Sequence, residues 1–253
     1  MSGPTDSENI VRPDGRAPEA LREVEIEPGF VHNADGSALI AVGGTRVICT
    51  ASLVEEVPSW RAGSGSGWLT AEYGMLPAST GARRVRDSTR GRPDGRTVEI
   101  QRLIGRSIRA VIELDALGER TVYLDCDVLD ADGGTRCAAI TGAYVALKLA
   151  LDRLVERGAL ARVPLRSSVA AVSCGIVEGR PVLDLDYRED STAEVDMNVV
   201  MTGADELVEV QATGEGVAFS RDDLDRLLAL TATGIASLRR KQDDAAGALS
   251  VVV

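Results

Sequence analysis

The stretch TVYLDCDVLDADGGTRCAAITGAYVALKLALDRLVER, residues 121–157, constrains the fold more than any other. Val122, Leu124, Cys126 and Val128 alternate with Tyr123, Asp125 and Asp127, the period of a half-buried strand. From about Arg136 to Arg157 the chain turns Ala- and Leu-rich, which predicts a helix buried on much of its surface. Only DADGG separates the two, so a strand must pass into a buried helix through a pair of glycines. With 253 residues, 44% of them hydrophobic, the chain can bury roughly three quarters of its unfolded surface around such a unit.

The flanking segments supply the other elements. LREVEIEPGFV and SALIAVGGTRVICTASL read as strands, the second folding into a hairpin at Gly43-Gly44. The Gly-, Ser- and Arg-rich segment 61–96 has no clear period and reads as a long surface loop. Ile100, Leu103, Ile104, Ile108, Val111 and Ile112 recur at helical spacing from Thr97, the expected N-cap, with Glu99, Arg102, Arg106, Arg109 and Glu113 on the opposite face. A hairpin turning near Glu178-Gly179, strands near 194–201 and 207–212, and a last helix over about 221–242 complete an α+β chain of mixed β-α-β type. Nothing resembles a linker, so 12–245 reads as one domain, with a disordered tail at 1–11 and a C-terminal tail at 246–253. RPDGR occurs at 12–16 and again at 92–96 with different flanks, which reads as turn chemistry.

The net charge of −11 argues against a generally basic nucleic-acid surface, yet residues 83–109 hold nine arginines against Asp87, Asp94 and Glu99. Lysine occurs only at 148 and 241, so the positive charge is guanidinium, the group suited to forked phosphate contacts. Aromatic residues make up 3% of the chain, too few for base stacking to be the main binding mode. The four cysteines lack CxxC spacing and read as buried, reduced thiols. With no signal-like N-terminus and no run of 18 apolar residues, a cytoplasmic protein without a membrane partner is expected.

Three features can carry chemistry. Gly133-Gly134-Thr135-Arg136 combines exposed N–H groups at a helix start, a hydroxyl and a guanidinium, a cradle for phosphate; the glycines would equally serve a bare strand-to-helix turn. Arg96, at the start of the basic helix, can reach the same anion. Between 184 and 196 stand Asp184, Asp186, Glu189, Asp190, Glu194 and Asp196, bordered by apolar strand-like runs. Asp190 and Asp196, with Glu194 and Asn198 on the strand face of Asp196, could offer oxygen ligands to Mg²⁺ or Mn²⁺, or simply face solvent. The lone His32 reads as a loop residue, so no Ser–His or Cys–His pair is available; an enzyme whose attacking group is bound phosphate needs none.

These blocks, in order from RPDGR at 12 to Gln242, resemble the ribonuclease PH family of phosphate-dependent 3′-to-5′ exoribonucleases, relatives of the polynucleotide phosphorylase core and of exosome ring subunits. The most specific are GWLTAEYGMLP, GRTVEIQRLIGRSIRAVIEL, LDCDVLDADGGTRCAAITGAYVAL and EDSTAEVDMNVVMTG. The resemblance implies the ribonuclease PH-type fold (ribosomal protein S5 domain 2-like), mixed sheets packed with helices, in a homohexamer built as a trimer of dimers. It implies that Arg96, Gly134, Thr135 and Arg136 bind phosphate, that Asp190 and Asp196 are catalytic and hold a divalent metal, Mg²⁺ or Mn²⁺, and that Arg83, Arg84 and Arg86 contact RNA. Inorganic phosphate is then a co-substrate, tRNA precursor 3′ ends are the expected RNA with rRNA as a further target, the reverse reaction adds nucleotides, and DNA is not expected. Asn198 stands where polynucleotide phosphorylases carry lysine. Asp130, Cys137 and Ala78 depart from the expected glutamine, threonine and arginine. A non-catalytic RNA-binding ring subunit is the alternative, and a hydrolytic metal nuclease is disfavoured because it leaves the arginine and Gly-Thr-Arg site without a use.

Overall fold

The structure is a computed structural model that describes residues 12–248. Among these residues two sheets and six helices follow one another. Strands β1 (Val24–Pro28), β2 (Gly36–Val42) and β3 (Thr45–Val54) form an antiparallel meander whose second turn is the expected hairpin at Gly43-Gly44. Strand β5 (Thr121–Asp130) pairs antiparallel with β3, and β4 (Trp68–Met75) pairs parallel with β5, closing a five-stranded sheet in the order β1-β2-β3-β5-β4. A parallel pair needs a crossover. It is supplied by α1 (Asp87–Arg90), α2 (Gly95–Arg109) and α3 (Leu114–Leu117).

The second sheet is antiparallel throughout, in the order β7-β6-β8-β9. Its strands are β6 (Val169–Val177), β7 (Arg180–Leu183), β8 (Val195–Thr202) and β9 (Leu207–Gly214), with the short helix α5 (Tyr187–Asp190) between β7 and β8. Helix α4 (Thr135–Glu156) packs against β2 and β3 of the first sheet and against β6 of the second, which is why it is apolar nearly all round. The approach is close: a Cβ on Gly36 would lie 2.1 Å from the Ala146 carbonyl oxygen of this helix. Helix α6 (Arg221–Ala248) covers β6, β7 and β1. One buried cluster spans both sheets, with Ile40, Cys49, Leu124, Ile140, Leu147 and Met197 among its fully buried members.

Three expectations change. The segment 61–96 is no continuous loop, because β4 lies inside it with Leu69, Ala71 and Tyr73 turned into the core. Helix α2 begins two residues before Thr97: Asp94 is the N-cap, its carboxylate accepting from the Thr97 N–H at 2.7 Å. The last helix continues through Ala248, so 246–248 are helical and no tail starts at 246. The tail expected at 1–11 and residues 249–253 lie outside the described residues. All four cysteines are buried and free, His32 is exposed in a loop, and no described helix is long and apolar enough to cross a membrane.

Candidate active site

The glycine pair joins β5 to α4 in a conformation that side chains resist. Gly133 and Gly134 have φ of 75° and 67°, and Gly134 is the N-cap of α4. At Gly133 space is also lacking, since a Cβ there would lie 2.6 Å from the Leu185 carbonyl oxygen and 2.9 Å from the Tyr187 nitrogen. Thr45 clamps the turn by donating to the Gly133 carbonyl at 2.6 Å while accepting from the Asp132 N–H at 2.9 Å. The start of a 22-residue helix is thereby aimed at open space, with N–H groups and dipole disposed toward an anion. Thr135 follows, its hydroxyl accepting a 2.9 Å hydrogen bond from the buried Tyr73 of β4. Tyr73 was missed in the sequence because its strand was read as loop; the alternation Leu69, Ala71, Tyr73 was the available signal. Burial raises the Tyr73 pKa, against the bond to Thr135 and the charges of Arg96 and Arg136, so it stays a neutral donor.

A cleft of about 630 Å³ opens at this turn. It is lined by Gly133, Gly134, Thr135, Arg84, Arg96 and Asp190, with Met75, Ala131, Tyr187 and the loop 80–82. Arg96 is exposed and makes no ion pair among the described residues. Arg84 is held at 3.1 Å by Asp94, the residue that also caps α2. Arg83 and Arg86 are exposed and do not line the cleft. Nor does Arg136, whose guanidinium donates to Gln211 of β9 at 2.5 Å and lies 3.7 Å from Glu99 of α2, although its charge still lowers the pKa of both Asp190 and Asp196.

The six carboxylates between 184 and 196 sort by partner. Asp184 receives Arg22, whose Nη2 donates to its Oδ1 at 2.7 Å, and Glu189 receives both Nε and Nη2 of the buried Arg12 at 2.7 Å each. Asp186 caps α5 in a capping box with Glu189. Loss of water would raise the Asp186 carboxyl, but the backbone N–H of Glu189 and the Arg188 guanidinium outweigh it and the pKa falls. Glu194 is exposed and accepts from the Gly179 N–H across the hairpin, away from any ligand role.

Asp190 and Asp196 remain, and neither has a cationic side chain within ion-pair distance among the described residues. Asp190 opens into the cleft, yet the surrounding protein removes enough water from its carboxyl to raise the pKa despite Arg96, Arg136 and Arg22. Asp196, near the start of the inner strand β8, is pushed up to about 6, first by burial and then by the charge of Asp190. A short chain of side chains reaches it: the Cys137 thiol donates to Asn198 Oδ1 at 3.2 Å and Asn198 Nδ2 donates to Asp196 Oδ1 at 3.4 Å. Asp196 and the Asp190 carboxylate whose charge raises its pKa fit a divalent cation bound by one or two carboxylates and completed by water or substrate oxygens. Among the described residues no cluster of three or more His, Cys, Asp or Glu side chains is placed to hold a metal ion.

Comparison with known proteins adds to this geometry. The model of the 3′ exoribonuclease family, domain 1, matches residues 20–151, and that of domain 2 matches residues 167–234. Among solved structures, a chain of an Archaeoglobus fulgidus exosome with RNA bound to the active site is 26% identical, with a TM-score of 0.79 over 92% of each chain. A chain of an archaeal exosome core is 25% identical, with a TM-score of 0.74 over 92% of this chain and 91% of that one. Rice (Oryza sativa) Rrp46, 19% identical with a TM-score of 0.75 over 93% of this chain and 100% of that one, bears on the fold alone.

Proposed function

The chain belongs to the 3′ exoribonuclease (RNase PH) family, and from that membership we propose that it shortens RNA from the 3′ end by phosphorolysis, with tRNA precursors as its substrates. One observation carries the reading. A single cleft joins an anion cradle, formed by the α4 N-terminus, Thr135 and Arg96, to Asp190, and neither Arg96 nor Asp190 has an ion-pair partner among the described residues. A hydrolytic nuclease would have no use for the first half.

In the reaction, Arg96, the glycine-turn N–H groups and the Thr135 hydroxyl hold inorganic phosphate with one oxygen facing the last phosphodiester of the RNA. That oxygen forms a bond to the phosphorus, the bond to the preceding 3′ oxygen breaks, and the terminal nucleotide leaves as a nucleoside diphosphate. Arg136 adds positive charge beside the cradle, and the Tyr73 hydroxyl fixes Thr135. A divalent ion held by Asp190 and Asp196, Mg²⁺ or Mn²⁺, would stabilise negative charge on the departing oxygen. Arg84 at the cleft, with Arg83 and Arg86 on the loop beyond it, offers guanidinium groups to the RNA backbone. A homohexameric ring would gather such loops around a common path.

The experiment is to incubate the purified chain and Mg²⁺ with an end-labelled tRNA precursor carrying extra 3′ nucleotides, with and without inorganic phosphate. Shortening that requires phosphate supports the proposal. Shortening without phosphate makes the chain a hydrolase, and binding without shortening under either condition makes it an RNA-binding subunit of an exosome-like ring.

A further inference from the structure

We propose that the ring of Tyr187 is the platform on which the base of the RNA's 3′-terminal nucleotide stacks, making Tyr187 a positioning residue for the linkage to be cut. The inference deepens the phosphorolytic reading and rests on it. The chain has only eight aromatic residues, four Tyr, two Phe and two Trp, so one left uncovered beside a charged cleft needs an explanation. Tyr187 is 63% exposed and lines the same cleft as Arg96, Thr135 and Asp190. Its stem is anchored while its ring is open. The residue before it caps α5, its own N–H donates to Asp132 Oδ1 at 3.4 Å, and its nitrogen lies where a Cβ on Gly133 would be 2.9 Å away.

Those contacts fix the root of the side chain against the glycine turn that would hold phosphate. A nucleotide whose phosphate sits between Arg96 and Asp190 carries its base one sugar away, at the cleft wall. Every base has a π-face, so a stacking platform holds any terminal nucleotide without reading sequence, which is what successive removal of residues demands. The other cleft-lining groups are guanidinium, carboxylate, hydroxyl, backbone and the side chains of Met75, Ala82 and Ala131, none of which has a π-face. Low aromatic content rules out stacking as the main source of RNA affinity but not one placed ring.

The test uses the full-length protein and equilibrium binding of short fluorescent RNAs that either carry or lack the base on the 3′-terminal ribose, without phosphate so that turnover does not intervene. The wild type is expected to prefer the base-bearing RNA by roughly tenfold. Tyr187→Ala and Tyr187→Leu should lose that preference while matching the wild type on the abasic RNA, and Tyr187→Phe should keep it. Leucine retains apolar bulk without a π-face, so it separates stacking from mere area, and sedimentation of each variant checks that equal assemblies are compared. The proposal is overturned if the wild type shows no preference, or if the alanine and leucine variants retain it. A base preference in an enzyme that makes no nucleoside diphosphate would instead remove the phosphorolytic reading and leave the platform standing.

Discussion

Asp184, Asp186 and Glu189 look alike in the sequence to Asp190 and Asp196, and only their partners separate them. Arg12 and Arg22 neutralise Glu189 and Asp184 inside the protein, and Arg188 pairs with Asp186. Truncating Arg12 should leave the buried Glu189 charge with only the more distant Arg16, 3.6 Å away, so Arg12→Ala is expected to lower stability by about 3 kcal/mol in chemical denaturation. Asp196 behaves oppositely. Its folded pKa of about 6 lies above its ordinary 3.8, so the native state binds the extra proton and the stability linked to it is complete below pH 3.8 and lost as pH rises through 6. A full shift of that size would cost about 3 kcal/mol at neutral pH, of which about 1–2 kcal/mol survives the carboxyl's partial access to water. Asp196→Asn in the metal-free protein should therefore be more stable than wild type by about that amount at pH 7.5 and no more stable at pH 3.5, while losing phosphorolysis. Equal stability of the two at pH 7.5 would remove the electrostatic account of this residue. The sequence offered the pair as possible oxygen ligands with a solvent-facing strand equally open, and resemblance to a family gave them a role; Asp184 and Glu189 differ from the pair by contacts made more than 160 positions away along the chain, which no local pattern records.

Among elements, the β5-to-α4 unit was the most legible, because its period changes from two to helical across two glycines and both halves are long. The parallel strand β4 was not. Its eight residues sit between Gly- and Arg-rich segments, and its partner β5 lies beyond three intervening helices, so its strand character is stabilised by pairing that is distant in sequence. With that strand went Tyr73 and its bond to Thr135. The start of α2 was displaced because Thr97 and Asp94 are both good caps, and the carboxylate of Asp94 wins by accepting from the Thr97 N–H. Asp94→Ala is expected to cost about 1 kcal/mol and also to release Arg84, raising KM for RNA more than KM for phosphate. Gly133→Ala should do greater harm, on the order of 2 kcal/mol or more, because the added Cβ meets backbone at 2.6 Å in a positive-φ turn. Differential denaturation of these two variants checks the order.

At the scale of the molecule, both RPDGR segments serve the same end of the structure by different means. The first places Arg12 and Arg16 against Asp184 and Glu189, and the second places Asp94 and Arg96 at the start of α2. Net acidity of −11 with a local arginine excess predicts that RNA affinity falls steeply with salt. Replacing Arg83, Arg84 and Arg86 together by alanine should flatten the slope of log affinity against log salt by roughly two, as expected for about three lost phosphate contacts on single-stranded RNA. An unchanged slope would mean that the loop does not meet the backbone. The central claim, that phosphate is the nucleophile, is tested most directly by supplying the protein with radiolabelled inorganic phosphate, Mg²⁺ and unlabelled RNA, then separating the mononucleotides. Label is expected in the β-phosphate of nucleoside diphosphates and is abolished in Arg96→Ala at low phosphate; unlabelled nucleoside monophosphates would contradict a phosphate nucleophile.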